Sequence, residues 1–79
     1  MPSDILTQLR ALLSDLLSAD NIDASASLFA SGVLDSIALL DVVSRIEGHW
    51  SIRFSWSEVN LDNLDSLQKM TDFITKKRR

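Results

Sequence analysis

Between residues 4 and 18, DILTQLRALLSDLLS, apolar side chains fall at positions 5, 6, 9, 12, 13, 16 and 17. That is a stripe of helical period with polar residues opposite it. Ser3 stands where an N-cap belongs and Asp4 where an acid complements the helix dipole, so a first helix is predicted over 4–18. Residues 19–35, ADNIDASASLFASGVLD, lose the period. A loop of this length is unusual in a small domain, so it either carries function or is pinned by its own apolar residues. Ile22, Leu28, Phe29, Val33 and Leu34 are the candidate pins. Gly32 is placed to supply a positive φ just before the next element. Helical spacing returns over 36–48 with Ile37, Leu39, Leu40, Val42, Val43 and Ile46, and Gly48 suits the helix end. This stripe is broader than one buried face requires. Ile37, Leu40 and Ser44 are left on a flank open to a partner.

Residues 49–56, HWSIRFSW, alternate apolar and polar, as a strand does. A single strand would have nothing to pair with. The pattern therefore predicts an extended connection that lays Trp50, Ile52 and Phe54 against the helices and leaves Trp56 partly exposed. A short third helix is predicted over 57–62. Ser66 is expected to cap a last helix over 66–77, with Leu67, Met70, Phe73 and Ile74 turned inward. No internal repeat is visible. The sum is an all-α chain of three longer helices and one short one, with a long loop between the first two.

A chain of 79 residues predicts one domain, and 46% hydrophobic with 24% charged residues is ordinary for a globular one. The absence of cysteine excludes a disulfide framework, a thiolate metal site and a catalytic thiol. No apolar run approaches a membrane span and no signal peptide is visible, so a cytoplasmic location is expected. The net charge of −3 is unevenly distributed, because Lys76, Lys77, Arg78 and Arg79 supply four of the eight basic residues. Residues 1–75 thus carry four basic against eleven acidic residues, a balance of −7. Such a body repels nucleic acid and attracts basic protein surfaces. The basic run fits the last turn of a helix, where cations complement the dipole, followed by a frayed end. Neither a nucleic-acid nor a membrane partner is expected.

Two stretches share an Asp-Ser pair before an apolar residue: VLDSIALL at 33–40 and NLDSLQKM at 63–70. Ser and Asp are favoured helix caps, so each pair alone implies little beyond capping. Context separates them. Ser66 precedes an ordinary amphipathic helix after a short polar linker, and capping explains it. Ser36 follows the long loop and Gly32, and it opens the helix with the apolar flank, near Asp35, Asp41 and Glu47. No triad makes Ser36 an enzymatic nucleophile. His49, the one histidine, lies about a helix length away and suits a surface or capping role. Neither a glycine-rich phosphate loop nor a metal-ligand spacing is present. If Ser36 does chemistry, something is attached to it, and a phosphodiester fits a helix N-terminus.

At LFASGVLDSIALLDVVSRIE the chain resembles acyl and peptidyl carrier proteins, whose second helix starts with Gly-x-x-Asp-Ser-Leu/Ile/Met. The resemblance covers essentially the whole chain: its length, long first loop, short third helix and a fourth helix opened by Ser or Thr. It implies a four-helix carrier-protein bundle in a single carrier domain over 1–79. It implies that Ser36 bears covalent 4′-phosphopantetheine from coenzyme A, with Asp35 before it and Ile37 after it, and that Ser66 is a cap. The arm's thiol would hold an acyl or aminoacyl group as a thioester, so the protein would be no enzyme. Partners implied are a phosphopantetheinyl transferase, an acyl- or aminoacyl-loading enzyme and a downstream transferase or synthase. They would meet a monomer at Asp35, Ile37, Leu40, Asp41 and Glu47. Ala38, Leu39, Ser44 and Arg45 dilute the acidic second helix usual in carriers of fatty acid synthesis. LFASGVLDSI is closer to stand-alone carriers, such as D-alanyl and free-standing peptidyl carriers. The alternative is a helical interaction module with this fold and no arm.

Overall fold

The computed structural model describes residues 4–78. Its elements, in chain order, are α1 (Ile5–Leu17), α2 (Ser36–Trp50), a 3-10 helix (Trp56–Glu58), α3 (Leu61–Leu64) and α4 (Leu67–Lys77). The all-α prediction and the long α1–α2 loop hold, and no strand occurs among the described residues. α1 packs chiefly on α4, with α2 against α1 and α3 against α4.

The apolar stripes meet in one core. Leu9 and Leu13 of α1 face Val42, Val43, Ile46 and Trp50 of α2 and Leu67, Met70 and Ile74 of α4, with Leu64 of α3 among them. Burying an aliphatic side chain of this size contributes roughly 1.5–3 kcal/mol, so a few such residues hold a chain this short. Ile22, Leu28 and Leu34 join the core from the long loop, and Phe29 and Val33 pack on its edge. The five expected pins are thus all in use. Gly32 has φ +80, the left-handed region that costs a glycine least.

Three boundaries differ from the sequence-based expectation. Asp4 is itself the α1 cap, its carboxylate accepting the Thr7 N–H at 2.7 Å. Ser3, expected in that role, lies outside the described residues.

Gly48 does not end α2. The helix runs through it to Trp50, and Ser51, at φ 56, makes the left-handed C-cap by donating its N–H to the Glu47 carbonyl. The reason is packing: positions 46 and 50 lie one turn apart on the same face. Only a continued helix brings Trp50 beside Ile46 in the core. Trp50 is therefore helical rather than part of an extended connection. Ile52 follows it into the core, and Phe54 stacks on Phe73 with ring centroids 4.7 Å apart.

The predicted third helix over 57–62 is two shorter pieces, Trp56–Glu58 and Leu61–Leu64. Asn60 breaks the run, since its side chain caps α3 by accepting the Asn63 N–H at 3.0 Å. The last helix is as expected, with Ser66 as its cap and Leu67, Met70, Phe73 and Ile74 buried. Lys76 and Lys77 occupy its last turn, where Lys77 pairs with Glu58 at 2.9 Å.

Candidate functional site

The two Asp-Ser pairs divide their labour in opposite ways. At the start of α2 the aspartate is the cap: Asp35 Oδ1 accepts the Ala38 N–H at 2.8 Å, and the Asp35 carbonyl accepts the Leu39 N–H at 2.8 Å. Ser36 is then the first helical residue. Its side chain is exposed, and its hydroxyl has no hydrogen-bond partner among the described residues. The N–H groups of Ser36 and Ile37 are likewise unpartnered there, as the first N–H groups of a helix are unless something is brought to them. At the start of α4 the serine is the cap. Ser66 is 5% exposed, and its Oγ accepts the Lys69 N–H at 3.1 Å.

The freed aspartate of the second pair has another use, which the sequence did not disclose. Asp65 Oδ2 accepts the Ser27 hydroxyl at 2.7 Å, and Oδ1 accepts the Phe29 N–H at 3.2 Å. The Asp65 carbonyl takes the Leu28 N–H at 2.7 Å. These bonds, the Ser27 hydroxyl foremost and the Phe29 N–H next, hold the Asp65 carboxyl below its ordinary pKa. Two further bonds pin the loop upstream. Gln68 N–H donates to the Ala24 carbonyl at 2.9 Å, and Arg10 Nε to the Ile22 carbonyl at 3.1 Å. Contacts across so many intervening residues leave no local pattern. A second device did leave one. Ser55-x-x-Glu58 is the spacing of a capping box, and Glu58 Oε1 accepts the Ser55 N–H at 2.8 Å.

Beyond Ser36, α2 turns a row of residues outward. Ile37 is 79% and Leu40 56% exposed, and Asp41 and Ser44 are exposed on the same side. The spacing 37, 40, 41, 44 is one helix face, opposite the buried Val42, Val43, Ile46 and Trp50. The acids around it differ. Asp35 is committed to the cap. Glu47 is half-buried, with Oε2 accepting the Phe54 N–H at 2.8 Å, so it braces the turn after α2. Asp41 makes no hydrogen bond or ion pair among the described residues. His49 sits near the far end of α2, its Nε2 sharing a hydrogen bond with Gln8 Oε1 at 3.0 Å, well separated in sequence from Ser36. A shallow cavity of about 460 Å³ also lies at that far end, lined by Ser44, Glu47, Gly48, Ser51, Ile52 and Arg53. No cluster of His, Cys, Asp and Glu that would hold a metal ion occurs among the described residues. No described helix is long and apolar enough to cross a membrane.

A short helical bundle that offers one unengaged serine at a helix start, under a loop tied to the opposite helix, has the architecture of a carrier. The family model described as "Phosphopantetheine attachment site" matches residues 7–74, and the chain belongs to that family. It is similar to the D-alanyl carrier protein of Streptococcus mutans, 29% identical over 76 residues covering 95% of this chain and 96% of the relative. It is 28% identical over the same shares to the D-alanyl carrier protein of Streptococcus sanguinis. The bundle is thus a carrier-protein fold whose cofactor is covalent 4′-phosphopantetheine.

Proposed function

We propose that Ser36 is the attachment residue and that this chain presents an aminoacyl or acyl group to partner enzymes without catalysing a reaction itself. The observation that supports it most is the contrast between the two serines: the Ser36 hydroxyl is exposed and unengaged, while that of Ser66 is buried and holds a cap. The site fits the group. A phosphodiester on the Ser36 Oγ would lie at the N-terminus of a 15-residue helix, beside the unpartnered N–H groups of Ser36 and Ile37. In forming it, the Ser36 oxygen would bond to the pantetheine-bearing phosphorus of coenzyme A and the pyrophosphate P–O bond would break. The adenosine bisphosphate portion would leave, and the hydroxyl proton would pass to a base of the transferase. When bound, the arm supplies a terminal thiol that holds cargo as a thioester, which a cysteine-free chain cannot do alone. A tethered cargo reaches each partner site at a raised local concentration.

The outward row of α2 serves as the docking face. Ile37 and Leu40 give apolar contact within a turn of Ser36, Asp41 gives steering charge, and Asp35 and Glu47 hold the two ends of the helix in place. Partners are a phosphopantetheinyl transferase, a loading enzyme and a downstream acceptor enzyme. The D-alanyl carriers among its relatives make D-alanine the first cargo to try, loaded by an adenylating enzyme. The test is intact mass after incubation with coenzyme A and a broad-specificity phosphopantetheinyl transferase, then with D-alanine, ATP and a D-alanine-activating enzyme. A phosphopantetheine increase on the wild-type chain, followed by a D-alanyl increase lost on thiol-directed cleavage, supports the reading. Loading of a fatty acyl group in preference to D-alanine would reassign the cargo.

A further inference from the structure

The ends of the loop that delivers Ser36 are fixed by the Ala19 N–H on the Ser14 carbonyl and by the Asp35 cap. Residues 27–29 in its middle are tied to another element. That anchor is the α3–α4 junction, where Asp65 closes α3 and Ser66 opens α4. From there the bonds run as a relay. The Asp65 carbonyl takes the Leu28 N–H at 2.7 Å, and the Leu28 carbonyl takes the Leu34 N–H at 3.1 Å. The Leu28 carbonyl also accepts the Ser31 hydroxyl at 3.1 Å. Ser27 Oγ, while donating to Asp65, accepts the Ala30 N–H at 3.1 Å, and Gly32 N–H closes on the Phe29 carbonyl at 3.1 Å. Residues 27–34 are therefore one closed turn. Its base is the Asp65 carboxylate and its exit is Leu34, two residues before Ser36.

We propose that Asp65 is a positioning residue for cofactor attachment: through Ser27, Leu28 and Phe29 it holds the 27–34 turn in the one arrangement that presents Ser36 to the transferase. This rests on the reading of Ser36 as the attachment serine. The chemistry asks for a carboxylate. Two donors, the Ser27 O–H and the Phe29 N–H, approach two different oxygens, and an amide offers only one acceptor oxygen. The role is positional more than structural because the helix caps Asp4, Asp35 and Ser66 and the α1, α2 and α4 stripes are complete without the carboxylate. A loop released from it samples other arrangements, and only the fraction still in the competent one binds, which raises the apparent KM.

The test uses the full apo chain, coenzyme A and a broad-specificity phosphopantetheinyl transferase, with kcat and KM for the carrier measured separately. Amide hydrogen exchange is read on the same samples. Asp65→Asn should raise KM by about tenfold with kcat nearly retained. Exchange at Leu28, Phe29 and Leu34 should quicken while the α1 and α4 core amides keep wild-type protection. Ser27→Ala should do the same to a lesser degree. The double variant should raise KM by less than the product of the two single effects, because both substitutions break the Ser27–Asp65 bond, although Ser27→Ala also removes the acceptor of the Ala30 N–H. If Asp65→Asn fails to fold, Ser27→Ala, which keeps the Asp65 carboxylate and its bond from the Phe29 N–H, decides the comparison. Unchanged KM in a variant whose 28–34 amides exchange faster would overturn the proposal, as would unchanged exchange in Asp65→Asn. Modification of Ser36→Ala, run alongside, would instead defeat the underlying site assignment.

Discussion

Ser36 and Ser66 show how one residue type in one dipeptide takes two fates. Which partner of the pair caps the helix decides which hydroxyl stays free. Where Asp35 caps, Ser36 is left to solvent, and where Ser66 caps, Asp65 is left to bind the loop. The stabilities should differ accordingly. Ser66→Ala removes a buried cap and should cost about 1 kcal/mol, seen as a lower urea midpoint. Ser36→Ala removes a hydroxyl with no partner and should leave the midpoint within experimental scatter. A large loss on Ser36→Ala would make that serine structural. The sequence already separated the two serines, because Gly32 and the long loop mark one and a plain amphipathic helix follows the other. It could not show Asp65 as the loop's anchor, since Ser27 and Phe29 are brought to it only by the fold.

Among the elements, α2 carries the functional claim. Its outward row was legible because Ile37 and Leu40 widen the stripe beyond what Val42, Val43, Ile46 and Trp50 bury. Its end was not, because a glycine at 48 is a good stop signal that the packing of Trp50 overrides. The roles of its acids also depend on the fold. Asp41→Lys should slow phosphopantetheine transfer, more so at low salt, with an unchanged unfolding midpoint, because steering acts on encounter and an unpaired surface charge contributes little to stability. Reversal at Asp15 or Asp72, on other helices, should have a much smaller effect, and equal slowing by all three would mean that net charge alone sets recognition. Glu47→Lys is expected to behave differently from Asp41→Lys. It strips the acceptor from the Phe54 N–H, so the midpoint should fall as well. The helix end offers a third check. Ser51 holds φ 56, a left-handed conformation that favours glycine, so Ser51→Gly should raise stability by about 0.5–1 kcal/mol.

At the scale of the molecule, four side-chain carboxyls among the described residues are held below their ordinary pKa by hydrogen bonds. Thr7 N–H acts on Asp4, Ser25 N–H on Asp23, Ser55 N–H on Glu58 with help from Lys77, and the Ser27 hydroxyl on Asp65. A folded-state pKa below the unfolded value contributes stability that is present above the unfolded pKa and lost as pH falls through the folded one. Unfolding midpoints should therefore hold from neutral pH to roughly pH 4–5 and decline below that. Asp65→Asn should flatten part of the decline, and an unchanged profile in that variant would remove Asp65 from the account. The helices and core were readable from periodicity because burial is written in apolar spacing. The ties that bring loop, α2 and α4 together were not, because they join polar residues far apart in the chain. The central claim, that the free serine and not the capping one carries the cofactor, is tested most directly by one measurement. Wild type, Ser36→Ala and Ser66→Ala are incubated with coenzyme A and a broad-specificity phosphopantetheinyl transferase, and their intact masses are compared. The predicted result is one phosphopantetheine on wild type and on Ser66→Ala and none on Ser36→Ala; a modified Ser36→Ala chain would contradict it.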